Sequence, residues 1–134
     1  MSRTISPLGK IPAYCDDDVT LADSSVICAY LERAHPDPPL YPSDARAYAR
    51  ALWFEEYGDS GLAPVLTMKI FVRKVLLPRF MNQPPDEADL GRIVEEELPP
   101  LFDYLESQVG GTRPVAGSEF SIGDIGLATQ FVNL

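Results

Sequence analysis

Between Gly9 and Ser25 the chain reads GKIPAYCDDDVTLADSS, which sets a lysine, a proline and an Asp-Ser-Ser triplet around two short extended runs. The triplet is the part that can do chemistry. Asp23, Ser24 and Ser25 stand where a helix opens, and the first turn of a helix directs backbone N–H groups outward. Those N–H groups and the two hydroxyls can take a carboxylate, while the aspartate takes an ammonium. An amino-acid-like ligand carries both. Other chemistries find less support. His35 is the only histidine; it lies at a helix end, where a charge–dipole or surface role fits better than catalysis. No Ser-His-Asp arrangement, P-loop, dinucleotide glycine pattern or metal-ligand spacing occurs.

The elements around this triplet follow from local residue types. Ser6 to Tyr30 reads as a turn, a strand Ala13–Cys15 entered through Lys10-Ile11-Pro12, and an acidic turn at Asp16-Asp17-Asp18. A second strand, Val19-Thr20-Leu21, comes next. A helix over about Ser24–Ala34 puts Ile27, Tyr30, Leu31 and Ala34 on one face. Asp23 therefore also has a plain role as helix cap. Pro36, Pro38, Pro39 and Pro42 forbid helix, so His35–Ser43 is a linker. Residues 1–42 form a small α/β piece and residues 43–134 a helical one.

In the helical part, Ser43 or Asp44 caps a segment with Ala45, Tyr48, Ala49, Leu52, Trp53 and Glu56 at helical spacing. Gly58, Gly61 and Pro64 predict a bend or break. An apolar face resumes through Leu66, Ile70, Phe71 and Val75, with Lys69, Arg73 and Lys74 outward, and Pro78 stops it. Asp86 starts the next helix, whose face carries Leu90, Ile93, Val94, Leu98, Leu101, Phe102 and Leu105. Pro99-Pro100 predicts a kink at Glu95–Leu98, and Gly110-Gly111 ends the helix. Ser121 and Asp124 then make a capping box, with Phe120 placed to staple onto Ile125. The helix that follows is mostly apolar and therefore central.

A chain of 134 residues can bury a real core. Its 46% hydrophobic and 23% charged content is ordinary for a globular protein. A net charge of −9 argues against nucleic acid as a partner. Charges or prolines interrupt every apolar run, which argues against a membrane span. The opening MSRTISPLG has no signal-peptide core. Cys15 and Cys28 suggest neither a disulfide framework nor a metal site. A cytoplasmic location is expected.

The order Gly9-Lys10-Ile11-Pro12, then Asp23-Ser24 at a helix start, then a long helical half, then Ser121-Ile122-Gly123-Asp124, resembles the glutathione S-transferase family of the cytosolic type. The resemblance implies a mainly α protein with a small α/β part. A partial thioredoxin-like domain, 1–42, would precede an all-helical domain, 43–134. It implies a cis Ile11–Pro12 bond whose turn presents the Ile11 backbone to the cysteinyl backbone of glutathione, as one more β partner would. Lys10, Ile11, Pro12, Asp23 and Ser24 become the glutathione-binding residues, with Asp23 and Ser24 on the γ-glutamyl ammonium and carboxylate. Trp53, Phe54 and Tyr57 could line an apolar electrophile pocket, although their helical spacing suits core or interface aromatics as well. Ser121 and Asp124 would serve folding rather than chemistry.

The implied activity is conjugation of the glutathione thiol to an apolar electrophile, in a detoxifying homodimer without a metal. Glutathione enters as substrate. The family's first strand, helix and strand, on the order of 40 residues, have no counterpart here, nor do its last helices. The residue that activates the thiol belongs to that first segment, so the 134-residue chain is expected to conjugate a generic aryl halide poorly. Tyr14 and Cys15 are the substitutes to inspect. The alternatives are a non-catalytic interaction module built on the same fold, or an incomplete portion of a longer enzyme.

Overall fold

A computed structural model of the chain describes residues 5–7, 9–109, 111 and 114–132. Leu8, Gly110, Asn133 and Leu134 lie outside the described residues, and with them half of the expected Gly110-Gly111 stop. The chain divides into two compact units, Met1–Leu40 and Tyr41–Leu134.

The first unit is a two-stranded antiparallel hairpin and one helix. Strand β1 spans Ala13–Cys15 and β2 spans Thr20–Ala22, in the register Ala13↔Ala22, Tyr14↔Leu21, Cys15↔Thr20. Strand β2 starts one residue later than its apolar pattern suggests. The reason is Asp16: its Oδ1 accepts from the Val19 N–H at 2.8 Å, and its own N–H donates to the Val19 carbonyl at 3.1 Å. Val19 is thereby drawn into the turn. Helix α1, Ser24–Ala34, covers the hairpin through Ile27, its one buried residue. Tyr30 and Leu31 are half-buried, while Ala34 is exposed. In the linker beyond it, the Leu40 N–H returns to Glu32 Oε2 at 3.1 Å.

The second unit is helical. Helix α2, Ala45–Glu56, is capped by Asp44, whose carboxylate accepts from Arg46 and Ala47 N–H. No break occurs at Gly58, Gly61 and Pro64; the disturbance expected there as a bend or break is a widening of the turns. The helical path continues through π-helical segments, Tyr57–Leu62 and Pro64–Leu76, with Ala63 between them in right-handed dihedrals. The glycines are absorbed because a close neighbour needs them small, and Pro64 sits in the first turn of its segment, where no N–H is required. Pro78 likewise opens the short helix α3, Leu77–Met81, instead of stopping the chain. The stop is Asn82, in the left-handed region at φ 52°.

The buried stripe of α2 lies beside the apolar spacing noted in the sequence. Ala51, Phe54 and Glu55 are buried, whereas Tyr48, Leu52 and Trp53 are exposed. Helix α6, Ile122–Phe131, explains this. It crosses α2 on three glycines, and close backbone approach rather than bulk decides which side faces in. The other helices pack as expected for the most part. Leu62, Val65, Leu66 and Ile70 are buried, and so are Leu90, Ile93, Leu98 and Leu105, while Val75 and Val94 stay exposed.

Helix α4, Glu87–Arg92, passes through a π segment, Ile93–Glu97, into α5, Leu98–Val109. The disturbance that Pro99-Pro100 predicts takes the form of that widened turn just before them. Lys69 pairs with Glu97 at 2.6 Å and Arg73 pairs with Asp89, tying Pro64–Leu76 to the α4 side, while Arg92 pairs with Asp89 at 2.8 Å within α4.

Asp124 fixes the start of α6. Its Oδ2 accepts from the Ser121 N–H and hydroxyl, both at 2.9 Å, and its Oδ1 accepts from the Val115 N–H at 2.9 Å. Val115 is held from its other side by Arg50, whose Nε and Nη2 donate to the Val115 carbonyl at 3.2 and 3.1 Å. Phe120 remains 59% exposed. Ser121→Ala should therefore cost about 1 kcal/mol, the usual value of a cap. Asp124→Ala should cost more, about 2 kcal/mol, because Val115 also loses its acceptor. Urea midpoints of the two variants check the order; equal shifts would mean the Val115 bond contributes nothing.

Candidate functional site

The register of the hairpin gathers the candidates. Ala13 pairs with Ala22, so Pro12 and Asp23 are the next residues out at the same, open end of the ladder. The Ile11–Pro12 peptide is cis. Ile11 lies beyond the ladder and is 77% exposed. A short loop supports this turn: buried Ser6 donates from Oγ to the Lys10 carbonyl at 2.8 Å, and the Gly9 N–H, at φ 69°, reaches the Ser6 carbonyl at 3.0 Å. That φ lies in the left-handed region, which glycine enters at no steric cost. Lys10 thus projects from a braced loop, and its Nζ meets Asp23 Oδ2 at 3.1 Å.

Asp23 is the least ordinary backbone position in the unit. Its φ of 136° lies in a region that L side chains rarely adopt, and such residues concentrate at ligand clamps. Its Oδ1 accepts from the Ser25 N–H at 3.2 Å, so the cap role and the candidate site role coexist in one carboxylate. The bond from Lys10 comes first among the causes that hold the Asp23 carboxyl below its ordinary pKa. Ser24 follows as the first residue of α1 and is half-buried. The five residues Lys10, Ile11, Pro12, Asp23 and Ser24 are therefore neighbours on one edge of one unit.

The acidic turn holds a feature that the sequence reading passed over. Asp16 is a hub: Oδ2 accepts from the Tyr14 hydroxyl at 2.9 Å and the Tyr30 hydroxyl at 2.8 Å, and Oδ1 from the Asp18 and Val19 N–H groups. Tyr14 and Tyr30 also pack ring against ring, centroids 5.8 Å apart. The Val19 N–H and then the Tyr30 hydroxyl do most to hold the Asp16 pKa at about 2. The same carboxylate pushes Tyr30 up to about 12 and raises Tyr14. Both phenols are thus committed donors, and Tyr14 is unsuited to activate a thiol. Cys15 is exposed, with Sγ 3.3 Å from Thr20 Oγ1. The only cue to the hub was the Tyr-x-Asp spacing at the turn, and nothing local announced Tyr30.

This hub sets an acid dependence. The folded Asp16 pKa lies below the ordinary 3.8, so its contribution is complete above 3.8 and is lost as pH falls toward about 2. Asp16→Asn should lower the melting temperature at neutral pH and flatten its fall across that window. Parallel curves for wild type and variant between pH 4 and 2 would contradict it.

The aromatic candidates in the second unit separate. Phe54 is fully buried beneath the Arg50 guanidinium, 5.2 Å from its ring centroid, so it is a core residue and lines no pocket. Trp53 and Tyr57 join Tyr104 of α5 in a cluster with centroid distances of 6.2, 6.5 and 4.9 Å. Trp53 Nε1 donates to the Tyr104 hydroxyl at 2.7 Å, and the Tyr57 hydroxyl to the Leu101 carbonyl at 3.1 Å. Burial, then Tyr104, raises the Tyr57 pKa. Tyr104 is 51 positions from Trp53 and carried no signal in the sequence. Among the described residues, no group of three or more His, Cys, Asp or Glu could hold a metal ion, and no helix is long and apolar enough to cross a membrane.

Residues 2–39 match the family model described as glutathione S-transferase, N-terminal domain. The chain is similar to glutathione S-transferase Z1 of Arabidopsis thaliana, at 45% identity over 132 residues, covering 96% of this chain and 56% of the relative. It is also similar to a probable maleylacetoacetate isomerase of Caenorhabditis elegans, at 37% over 132 residues, covering 93% and 56%. Among solved structures, human glutathione-S-transferase T1-1 superposes with a TM-score of 0.84 at 27% identity, over 98% of this chain and 55% of that one. Glutathione transferase F2 of Populus trichocarpa gives 0.82 at 27%, over 98% and 61%. The chain spans about half the length of the curated relatives it matches.

Proposed function

The chain belongs to the glutathione S-transferase family, and from that premise we propose that it holds glutathione at the open end of the β1–β2 hairpin, for attack of the bound thiol on an apolar electrophile. Asp23 takes the γ-glutamyl ammonium and Ser24 the γ-glutamyl carboxylate. The Ile11 backbone, beyond the ladder and exposed, pairs with the cysteinyl backbone as an added strand. Lys10 and Pro12 shape that edge. Within the helical unit, Trp53, Tyr57 and Tyr104 form one aromatic cluster that offers apolar surface to a small ligand. The observation that carries the reading is the register Ala13↔Ala22 together with the Lys10–Asp23 bridge, which sets all five glutathione candidates side by side.

The chemistry rests on the thiolate, since the thiol is a poor nucleophile. Sulfur bonds to the electrophilic carbon, the leaving group departs with its bonding pair, and the thiol proton passes to solvent or a base. Action as a cytoplasmic homodimer belongs to the same proposal.

Titration calorimetry with glutathione tests it. Saturable one-to-one binding per chain is expected, with a dissociation constant within the roughly micromolar-to-millimolar range of enzyme substrates. No saturable heat at millimolar glutathione from a folded protein would reject it. A second reading is the isomerase activity named for the C. elegans relative, to which the chain is 37% identical. Product mass separates the two, because conjugation adds glutathione to the electrophile and isomerisation leaves the substrate mass unchanged.

A further inference from the structure

We infer that Lys10 is a built-in competitor for the site: its ammonium occupies the Asp23 oxygen to which the ligand's ammonium must bind. The inference rests on the glutathione reading above and adds a step to it. Asp23 has two carboxylate oxygens, and both are committed. Oδ1 accepts from the Ser25 N–H at 3.2 Å and so caps α1; Oδ2 accepts from Lys10 Nζ at 3.1 Å. A ligand ammonium at Oδ1 would share that oxygen with the helix cap, and one at Oδ2 would sit beside the Lys10 ammonium, a like charge. Oδ2 is the oxygen that can change partners.

The pair is built for exchange. Lys10 is anchored at its backbone by the Ser6 hydroxyl, which accepts no part in the ion pair, while its side chain is 58% exposed. An ammonium on a long flexible stem, facing water, leaves at small cost. Its presence also keeps the Asp23 carboxylate paired when no ligand is bound, at a residue whose φ of 136° few side chains tolerate. Binding is then a swap of one ammonium for another at the same oxygen. Once displaced, the Lys10 ammonium is released to an anionic part of the ligand. The site therefore gains less from the ligand's ammonium than an unopposed aspartate would, and Lys10 is a positioning residue that sets selectivity.

Calorimetry on the full chain reads this directly, with glutathione and with its deaminated analogue, glutaryl-cysteinyl-glycine, which lacks only the ammonium. The affinity ratio between the two reports what the ammonium contributes. Lys10→Met should raise that ratio about two- to fivefold, the size of an exposed ion pair. Lys10→Arg should return it to the wild-type value, which a merely structural role for the stem would not explain. Lys10→Gln repeats the measurement should Lys10→Met fail to fold. An unchanged or smaller ratio, with glutathione still binding, overturns the competition and leaves the glutathione site standing. Absence of glutathione binding to a folded wild type overturns both.

Discussion

Gly58→Ala should destabilise the helical unit by about 3 kcal/mol, the upper range for forcing extra atoms into a packed core. A Cβ at Gly58 would lie 2.5 Å from the Gly126 carbonyl oxygen and 2.9 Å from its carbon. Both are backbone atoms of the central helix α6, so no side chain can swing aside. The contact is reciprocal: a Cβ at Gly126 would meet Glu55 Cα at 2.9 Å, and one at Gly123 the Ala51 carbonyl at 2.8 Å. Three glycines therefore set how near α6 comes to the helix that begins at Ala45. Gly91 supplies the contrast, since a Cβ there meets nothing within 4 Å. Gly91→Ala should stabilise by roughly 0.5–1 kcal/mol, the helical preference of alanine over glycine. Urea unfolding of the two variants should move the midpoint in opposite directions. A Gly58→Ala midpoint equal to wild type would mean that the helices separate without penalty.

The same glycines show where reading from sequence stops. Gly58 and Gly61 weaken a helix when only propensity is counted, and a bend or break is the natural expectation. Tertiary contact reverses the sign at Gly58, because a Cβ there would lie 2.5 Å from the Gly126 carbonyl oxygen, so the two backbones can come this near only without a side chain. That contact joins residues 68 positions apart, and no local pattern encodes it. Tyr48, Leu52 and Trp53 show the same limit: apolar spacing finds a face, but the partner helix chooses which face turns in. Local chemistry was legible. Asp23, Asp44, Asp86 and Ser121 each stand where a helix begins, since caps act within three residues. The hairpin and its cis-proline turn were legible too, through the motif that the family shares. The Asp16 hub was half visible: Asp16 and Tyr14 are neighbours on the chain, but Tyr30 reaches them only once α1 has packed.

Ser24→Ala should weaken glutathione binding ten- to a hundredfold while leaving the fold almost untouched. The hydroxyl is proposed to donate to the γ-glutamyl carboxylate, and a charge-assisted hydrogen bond contributes about 1.5–3 kcal/mol, which converts to that range of affinity. The cap survives, because Asp23 and not Ser24 supplies the oxygen that accepts from the Ser25 N–H. Asp23→Asn separates charge from shape. The amide oxygen can still accept the Ser25 N–H, and Asn tolerates unusual φ better than most residues. The counter-charge for the ligand's ammonium is gone, however, and so is the ion pair with Lys10. Binding should fall about tenfold or more, with a small change in unfolding midpoint. Ser25→Ala is the control, since its side chain points about 100° around the helix from that of Ser24. Calorimetry and urea unfolding on all three variants together decide the matter. Affinities that fall only in step with stability, or that match among wild type, Ser24→Ala and Ser25→Ala, would reduce Asp23-Ser24 to a helix start. A loss confined to Ser24→Ala and Asp23→Asn, in proteins that unfold at the wild-type midpoint, requires that the carboxylate and ammonium of one ligand meet there.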